Sequence, residues 1–363
     1  MADWDFILAP ATVTVQFKLD EPAILLNSLR LLNNAKYLSG LGDWVRDVVM
    51  DLSDERLRTN EVVAESLAFL QCELPRVETF LNFIDLVSDI SDEAVKLSVL
   101  GWIREYDDYP GDETILTSED HFVDTVYNMV SEKYAKKGHT FEDTIWRQRY
   151  YYATNPAAYR DLAVEHLTYM WDEYLKPEWK RIKPVLQEAV DAHQSQDYSG
   201  MTGFEAIEAI TGRNMRSSDM VAHSIEKVNV LTFMPSPHVG PYIGFGPMDD
   251  HEQVFFFGAR LPKNAVMKST ALSRSELLVR LNALADETRL KILELLTEHN
   301  ELCAQDFITT LDLSQSSASR HLRQLTASGY LSERRRDVAK CYALNPERID
   351  DTIQALKDFL QKA

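Results

Sequence analysis

Between Leu313 and Leu344 the chain reads LSQSSASRHLRQLTASGYLSERRRDVAKCYAL. Gln315, Ser316, Ser319, Arg320 and Arg323 fall on one face of a helix, and Ala318, Leu322 and Leu325 fall on the other at i, i+4 and i+7. The polar set holds groups that read nucleic acid. A glutamine amide pairs with adenine, arginine with guanine or a phosphate, and serine with either a base edge or the backbone. Downstream, Arg334, Arg335, Arg336 and Lys340 crowd a short stretch. Cations there suit phosphate contacts, which supply affinity without sequence information. His321 falls toward the flank of the apolar face, so packing or a phosphate contact stands as an equal alternative to base reading.

These side chains need a helix, a sharp stop and a hairpin to hold them. Ser314 is placed to cap the helix, its hydroxyl accepting from a free N–H of the first turn. Gly329 stands where a helix-ending residue with positive φ is expected. Tyr330 and Leu331 begin a strand, the arginines occupy its tip, and Cys341–Leu344 return. The unit matches a helix that enters the DNA major groove, followed by a wing on the backbone. The plainer alternative is a surface helix followed by a solvated basic hairpin.

SQSSASRHLRQL resembles the recognition helix SQSxVSxHLxxL of ArsR-type winged-helix regulators. LADETRLKILELL, Leu284 to Leu296, resembles the LADxTRLxILxLL helix that precedes it there, and ERRRDVAKCYAL resembles the wing. Asp337 or Val338 stands where many members carry glycine. The resemblance covers about residues 272–363 and implies a DNA-binding regulator with a winged helix-turn-helix domain. Ser273–Leu284 is expected as its first helix. Asp286 should cap Glu287–Leu296, with Leu290, Leu293 and Leu296 inward. Ala304–Leu311 is the third helix and Pro346–Gln361 the last. In the family the first and last helices form a dimer interface, which implies a homodimer here, although the same stripe could pack within one subunit.

Many members sense metal through ELCVCDL, which here reads Glu301–Leu302–Cys303–Ala304–Gln305–Asp306–Phe307. Gln305 replaces the second thiolate, and soft metals need two or more thiolates together. The family's other metal site needs histidines on the last helix, and residues 346–363 contain none. No metal and no cofactor is expected. Cys72, Cys303 and Cys341 are odd in number and far apart, which argues against a disulfide framework and for a reducing cytosol.

The chain has 363 residues and a net charge of −19, with 38 Lys and Arg against 57 Asp and Glu. Residues 271–363 hold 13 of these cations and 14 of the anions, so residues 1–270 carry nearly all the excess. Ser314–Lys340 alone holds six cations and two anions. DNA affinity follows the local basic surface, and an acidic partner domain would repel DNA and orient the basic face toward it. No apolar run approaches the length needed to span a membrane, and MADWDFILAP lacks the features of a secretory signal.

Residues 11–19 alternate as a strand. From Ala23 to about Ala192 apolar residues recur at helical spacing, interrupted by Pro75, Pro110, Pro156, Pro177 and Pro184. A short helix at Phe204–Ile210 follows. Lys227–Phe233, Tyr242–Phe245 and Gln253–Phe257 read as strands separated by turn formers. The expected fold class is therefore α+β. A mainly helical N-terminal domain with a small antiparallel sheet, residues 1–265, is joined through 262–272 to the winged helix at 272–363.

No HExxH, GxSxG, CxxC pair or phosphate loop occurs, and no nucleophile with a neighbouring base can be named. The expectation is a non-enzymatic regulator; an enzyme or a protein-interaction module carrying a winged-helix appendix is the alternative. One feature of the large domain stands out. Nine Trp and Tyr residues lie between Trp146 and Trp179, including Tyr150, Tyr151 and Trp171. They could line a pocket for an apolar or aromatic organic effector, or form an ordinary helical core with tyrosines reaching the surface. A protein partner for the acidic domain is a further reading.

Overall fold

The computed structural model describes residues 12–71, 73–137, 141–213, 215–216, 218–249, 251–258, 270–336 and 339–361. The join at 262–269, the wing tip at Asp337 and Val338, and Cys72 lie outside the described residues. Among the described residues, no helix is long and apolar enough to cross a membrane.

The N-terminal part begins with strand β1 (Thr14–Phe17) and helix α1 (Glu21–Asn34). Asp20 caps α1, its side chain accepting from the Ala23 N–H at 2.9 Å, and Pro22 occupies the first turn, where its missing N–H costs nothing. The helices that bear on function are α2 (Asp54–Leu70), α3 (Asp92–Arg104), α4 (Asp143–Thr154) and α5 (Lys176–Gln194). Ile24, Leu25, Val63, Leu67, Val95, Leu100, Tyr159 and Leu167 bury completely or nearly so in their shared core.

Three more strands follow: β2 (Val230–Pro235), β3 (Ile243–Met248) and β4 (Glu252–Phe257). The sheet order is β1-β2-β4-β3. The α+β class stands, but the strand directions correct the expectation of an antiparallel sheet. β1 with β2 and β2 with β4 are parallel, and only β3 with β4 is antiparallel. The turn formers between strands implied hairpins. Among the described residues this sheet has just one, at Asp249, whose carboxylate accepts from the N–H groups of His251 and Glu252 at 2.7 Å. The run Val254–Phe257 is apolar throughout because both faces of the strand are covered. Val254 and Phe256 face the helical core, while Phe255 and Phe257 join Phe17, Leu231 and Phe233 against the helix Gly203–Thr211.

Glu252 ties the sheet together. It pairs with Lys18 at 2.8 Å and with Arg76, and accepts from Thr232. Burial would raise its carboxyl, but Lys18, Thr232 and Arg76 outweigh that and hold it down at about 2.

The C-terminal part has its own core of Ala283, Ile292, Leu293, Leu296, Phe307, Leu322, Leu325, Tyr330 and Leu331. Its elements are α6 (Thr270–Leu284), α7 (Glu287–Glu298), β5 (Leu302–Cys303), α8 (Ala304–Leu311), α9 (Gln315–Ala327), β6 (Leu331–Arg336), β7 (Ala339–Leu344) and α10 (Pro346–Gln361). Leu290 corrects another expectation. It is 52% exposed, because Ile292 takes the inward place beside Leu293 and Leu296. Asp286 caps α7 as expected, accepting from the Arg289 N–H at 2.9 Å. The Arg289 guanidinium turns back to donate to the Ala283 and Asn282 carbonyls at 2.6 and 2.8 Å, closing the end of α6. Buried Tyr330 donates to the Arg280 carbonyl at 3.2 Å and meets Thr352 at 2.9 Å, so α6 and α10 are fastened to the same core.

The cysteines are the third correction. β5 pairs with β7 so that Cys303 stands opposite Cys341, and the two are joined as a disulfide. Their separation of 38 residues hid a cross-strand neighbour that only the sheet register reveals.

Candidate nucleic-acid interface

Two helices and a hairpin build the candidate surface. α8 ends at Asp312, which adopts a left-handed φ of 51° and sends its N–H to the Ile308 carbonyl. That turn aims Ser314 at the start of α9. Its hydroxyl accepts from the Ser317 N–H at 3.2 Å and contacts the Ser316 hydroxyl at 3.1 Å. Ala318, Leu322 and Leu325 are buried, so the opposite face, with Gln315, Ser316, Ser319, Arg320 and Arg323, is turned to solvent. Gly329 ends the helix with φ +83°, where a side chain would also crowd the Arg348 guanidinium.

His321 packs. It is 8% exposed and its Nδ1 lies 3.6 Å from the Asp286 carboxylate. Burial lowers its pKa, with Asp286 opposing that effect. The ring therefore bridges α9 to the cap of α7.

β6 and β7 form the wing, with Leu331 opposite Leu344 and Arg336 opposite Ala339. Its cations are exposed, and acidic side chains answer several of them. Arg334 donates to Glu301, one of the two contacts measuring 2.9 Å. Arg336 lies 3.9 Å from the same carboxylate, and Lys340 is 2.7 Å from Glu333. Arg335 stands directly across from Lys340. Exposed pairs of this kind are worth little, so phosphates can compete for these cations.

The N-terminal part touches this unit. Arg323 donates to the Tyr37 carbonyl at 3.4 Å, and Gly40 lies so near the Gln324 amide that a Cβ there would come within 2.4 Å of it. Gln324 is 1% exposed as a result. The segment following α1 therefore rests on the flank of the candidate reading helix. No feature of the sequence signalled that contact.

The aromatic run from Trp146 to Trp179 is divided among several surfaces. Trp146 is buried and lines a cavity with Trp102, Tyr106 and Tyr134. Tyr150 packs against Phe122 with ring centroids 5.8 Å apart, Tyr151 is 50% exposed, and Trp171 stacks on Phe80 at 5.6 Å. Of these four, Trp146 alone borders that cavity.

One buried network left no trace in the sequence. His238 Nδ1 is 2.7 Å from the Ser28 hydroxyl, and its Nε2 is 2.8 Å from Glu178, with Trp44 stacked on the ring. The order of groups is that of a nucleophile, base and acid. Ser28, however, is fully buried inside α1 and its hydroxyl also meets the Ile24 carbonyl at 2.8 Å, so no substrate carbonyl reaches it. The network pins α1, α5 and the loop after β2 to one another.

Residues 286–333 match the model of the bacterial regulatory proteins of the arsR family. The arsenical resistance operon repressor of Staphylococcus aureus is 36% identical over 85 residues, which is 23% of this chain and 81% of that protein. The chain belongs to the ArsR family. The arsenical resistance operon repressor of Escherichia coli (strain K12) is 51% identical over 63 residues, 17% of this chain and 54% of the repressor. The transcriptional repressor SdpR of Bacillus subtilis (strain 168) is 32% identical over 80 residues, 22% of this chain and 88% of SdpR. The chain spans about half the length of several of the curated relatives it matches, and ArsR-family similarity reaches less than a quarter of this chain in each case. The Asp286 cap, the inward Ile292 and Leu293, and the exposed polar face of α9 all lie inside the family match.

Proposed function

We propose that this protein is a transcriptional regulator that binds double-stranded DNA as a homodimer, in the cytoplasm, and that residues 1–265 adjust that binding in response to a small organic molecule or a protein partner. The observation that carries the reading is the exposed set Gln315, Ser316, Ser319, Arg320 and Arg323 on one face of α9, beside the cationic wing. A helix so armed fits the major groove while the wing neutralises phosphates. Family membership supports the same reading.

Dimerisation is supported by apolar side chains that a single chain leaves uncovered. Leu278 on α6 is 54% exposed, and Ile353 and Leu360 on α10 are 48% and 64% exposed. The two helices pack against each other, and a second copy seated on α10 would cover Ile353 and Leu360. Two α9 helices would then enter successive major grooves of a near-palindromic operator. Effector control is supported by the contact of Arg323 with Tyr37, which gives the N-terminal part a direct hold on the reading helix. The arsenicals in the relatives' names do not carry over readily. Gln305 stands in α8 where a second thiolate would be needed, and Cys303 is bonded to Cys341.

Arg320→Ala and Gln315→Ala are each expected to weaken specific binding by about 1–3 kcal/mol while leaving the unfolding midpoint unchanged. Fluorescence anisotropy on a selected duplex measures this. Wild-type affinity in either variant removes that residue from the reading face.

A further inference from the structure

A cavity of about 240 Å³ opens among the end of α1, α2, α3 and α4. Its wall is aromatic. Trp102 lies 5.7 Å from Trp146, 5.9 Å from Tyr134 and 5.3 Å from Tyr106, measured between ring centroids. Lys36 and Glu142, both about half exposed, pair at 3.2 Å at its mouth.

The ionisable groups that reach the cavity are not evenly matched. Glu142 answers Lys36, and Glu65 pairs with Arg30 at 3.1 Å. Arg149 is 7% exposed, but it donates to the Val99 carbonyl at 3.1 Å and to the Ser66 hydroxyl at 3.3 Å, and it lies 5.4 Å from the Trp146 ring centre. Glu61 lines the same space, and among the described residues its carboxylate has neither a hydrogen bond nor an ion pair. A half-buried carboxylate without a partner is costly. Burial pushes it above the usual carboxylate range, and the more distant charges of Lys36 and Arg149 only partly oppose this.

We infer that this cavity is the effector site and that it takes a small organic cation, with one protonated nitrogen set against Glu61 and an aromatic or alicyclic body held against the Trp102, Tyr106 and Tyr134 rings that line it. Aromatic faces attract cations, the more strongly when water is excluded. An anion would have to face Glu61, and the cation best placed to receive it, Arg149, already has protein acceptors. The inference rests on the proposed sensing role of the N-terminal part. It also gives that role a route. Asn33, Asn34, Lys36 and Tyr37 form one wall of the cavity, and the Tyr37 carbonyl is the group that Arg323 contacts. A ligand that shifts this wall shifts the flank of α9.

The test uses the full chain and three probes of similar shape: 2-phenylethylammonium, neutral 2-phenylethanol and anionic 3-phenylpropionate. Binding is followed by calorimetry and by tryptophan emission, to which Trp102 and Trp146 contribute. The cation is expected to bind at millimolar concentration or below and at least about tenfold more tightly than either other probe, the factor carried by one charge-assisted contact. Glu61→Gln should remove that preference. If the variant does not fold, the order of the three probes on the wild-type chain still decides. Equal binding of the alcohol, tighter binding of the anion, no binding of the cation, or an undiminished preference in Glu61→Gln would overturn the site. DNA affinity is measured separately. A cation that binds as expected but leaves DNA affinity unchanged would overturn the cavity's role as effector site, whereas a chain that binds no DNA at all would overturn the regulator reading instead.

Discussion

Replacing Arg334, Arg335 and Arg336 together by alanine is expected to weaken binding to all duplex sequences alike. It should also flatten the dependence of affinity on salt. Each phosphate contact contributes roughly 0.9 to the slope of log affinity against log salt, so the six arginines of a dimer would account for at most about 5. The structure points to a smaller figure, because Arg334 and Arg336 share Glu301 and part of their charge is already answered. Lys340, across the hairpin from Arg335, is likewise answered by Glu333 at 2.7 Å. Titrations at several salt concentrations on specific and random duplexes make the measurement. An unchanged slope removes the wing from the interface, and a loss confined to one sequence makes it a reader of bases.

Gly240→Ala is expected to lower stability by about 2–4 kcal/mol, combining a left-handed backbone with a backbone clash. Gly240 has φ +58°, and a Cβ there would sit 2.0 Å from the Gly40 carbonyl oxygen. Gly40, itself at φ +81°, is the residue pressed against Gln324 of α9. The loop after β2 therefore supports the segment that leans on α9. Gly200→Ala is the control, since Gly200 has φ +77° but a Cβ there would meet no atom within 4 Å. It should lose only the backbone cost, about 1–2 kcal/mol. Urea unfolding of the two variants separates the contributions. Equal losses would mean that the Gly40–Gly240 contact does not constrain the fold.

The winged-helix segment is the most legible part of the chain because its signals are local. A cap at Ser314, an apolar stripe at Ala318, Leu322 and Leu325, and a stop at Gly329 are all specified within sixteen residues of sequence, and the structure has each in its expected place. The alternation that marks strands is also readable, but strand direction is not. Thr14 pairs with Val230, and nothing near either residue says that the strands run parallel. The same reason hides the Cys303–Cys341 bond, the Ser28–His238–Glu178 network and the Arg323–Tyr37 contact, all of which join distant segments. Leu290 departs from expectation because helical spacing alone leaves two neighbouring rows to choose from, and the core took Ile292. The aromatic run is visible as composition, but its rings are shared among several packing surfaces. Glu61, the residue on which the cavity's chemistry turns, is in sequence one glutamate among many in an acidic domain.

In the proposed function α9 reads DNA in a dimer. Selection of genomic fragments by the full chain, followed by footprinting of the enriched sequence, tests it most directly. The expected result is a protected, near-palindromic site whose two half-sites lie one helical turn or a small multiple of it apart, about 10–10.5 base pairs per turn. Fragments no more enriched than with a chain carrying Arg320→Ala and Gln315→Ala, or a footprint without two-fold symmetry, would contradict it.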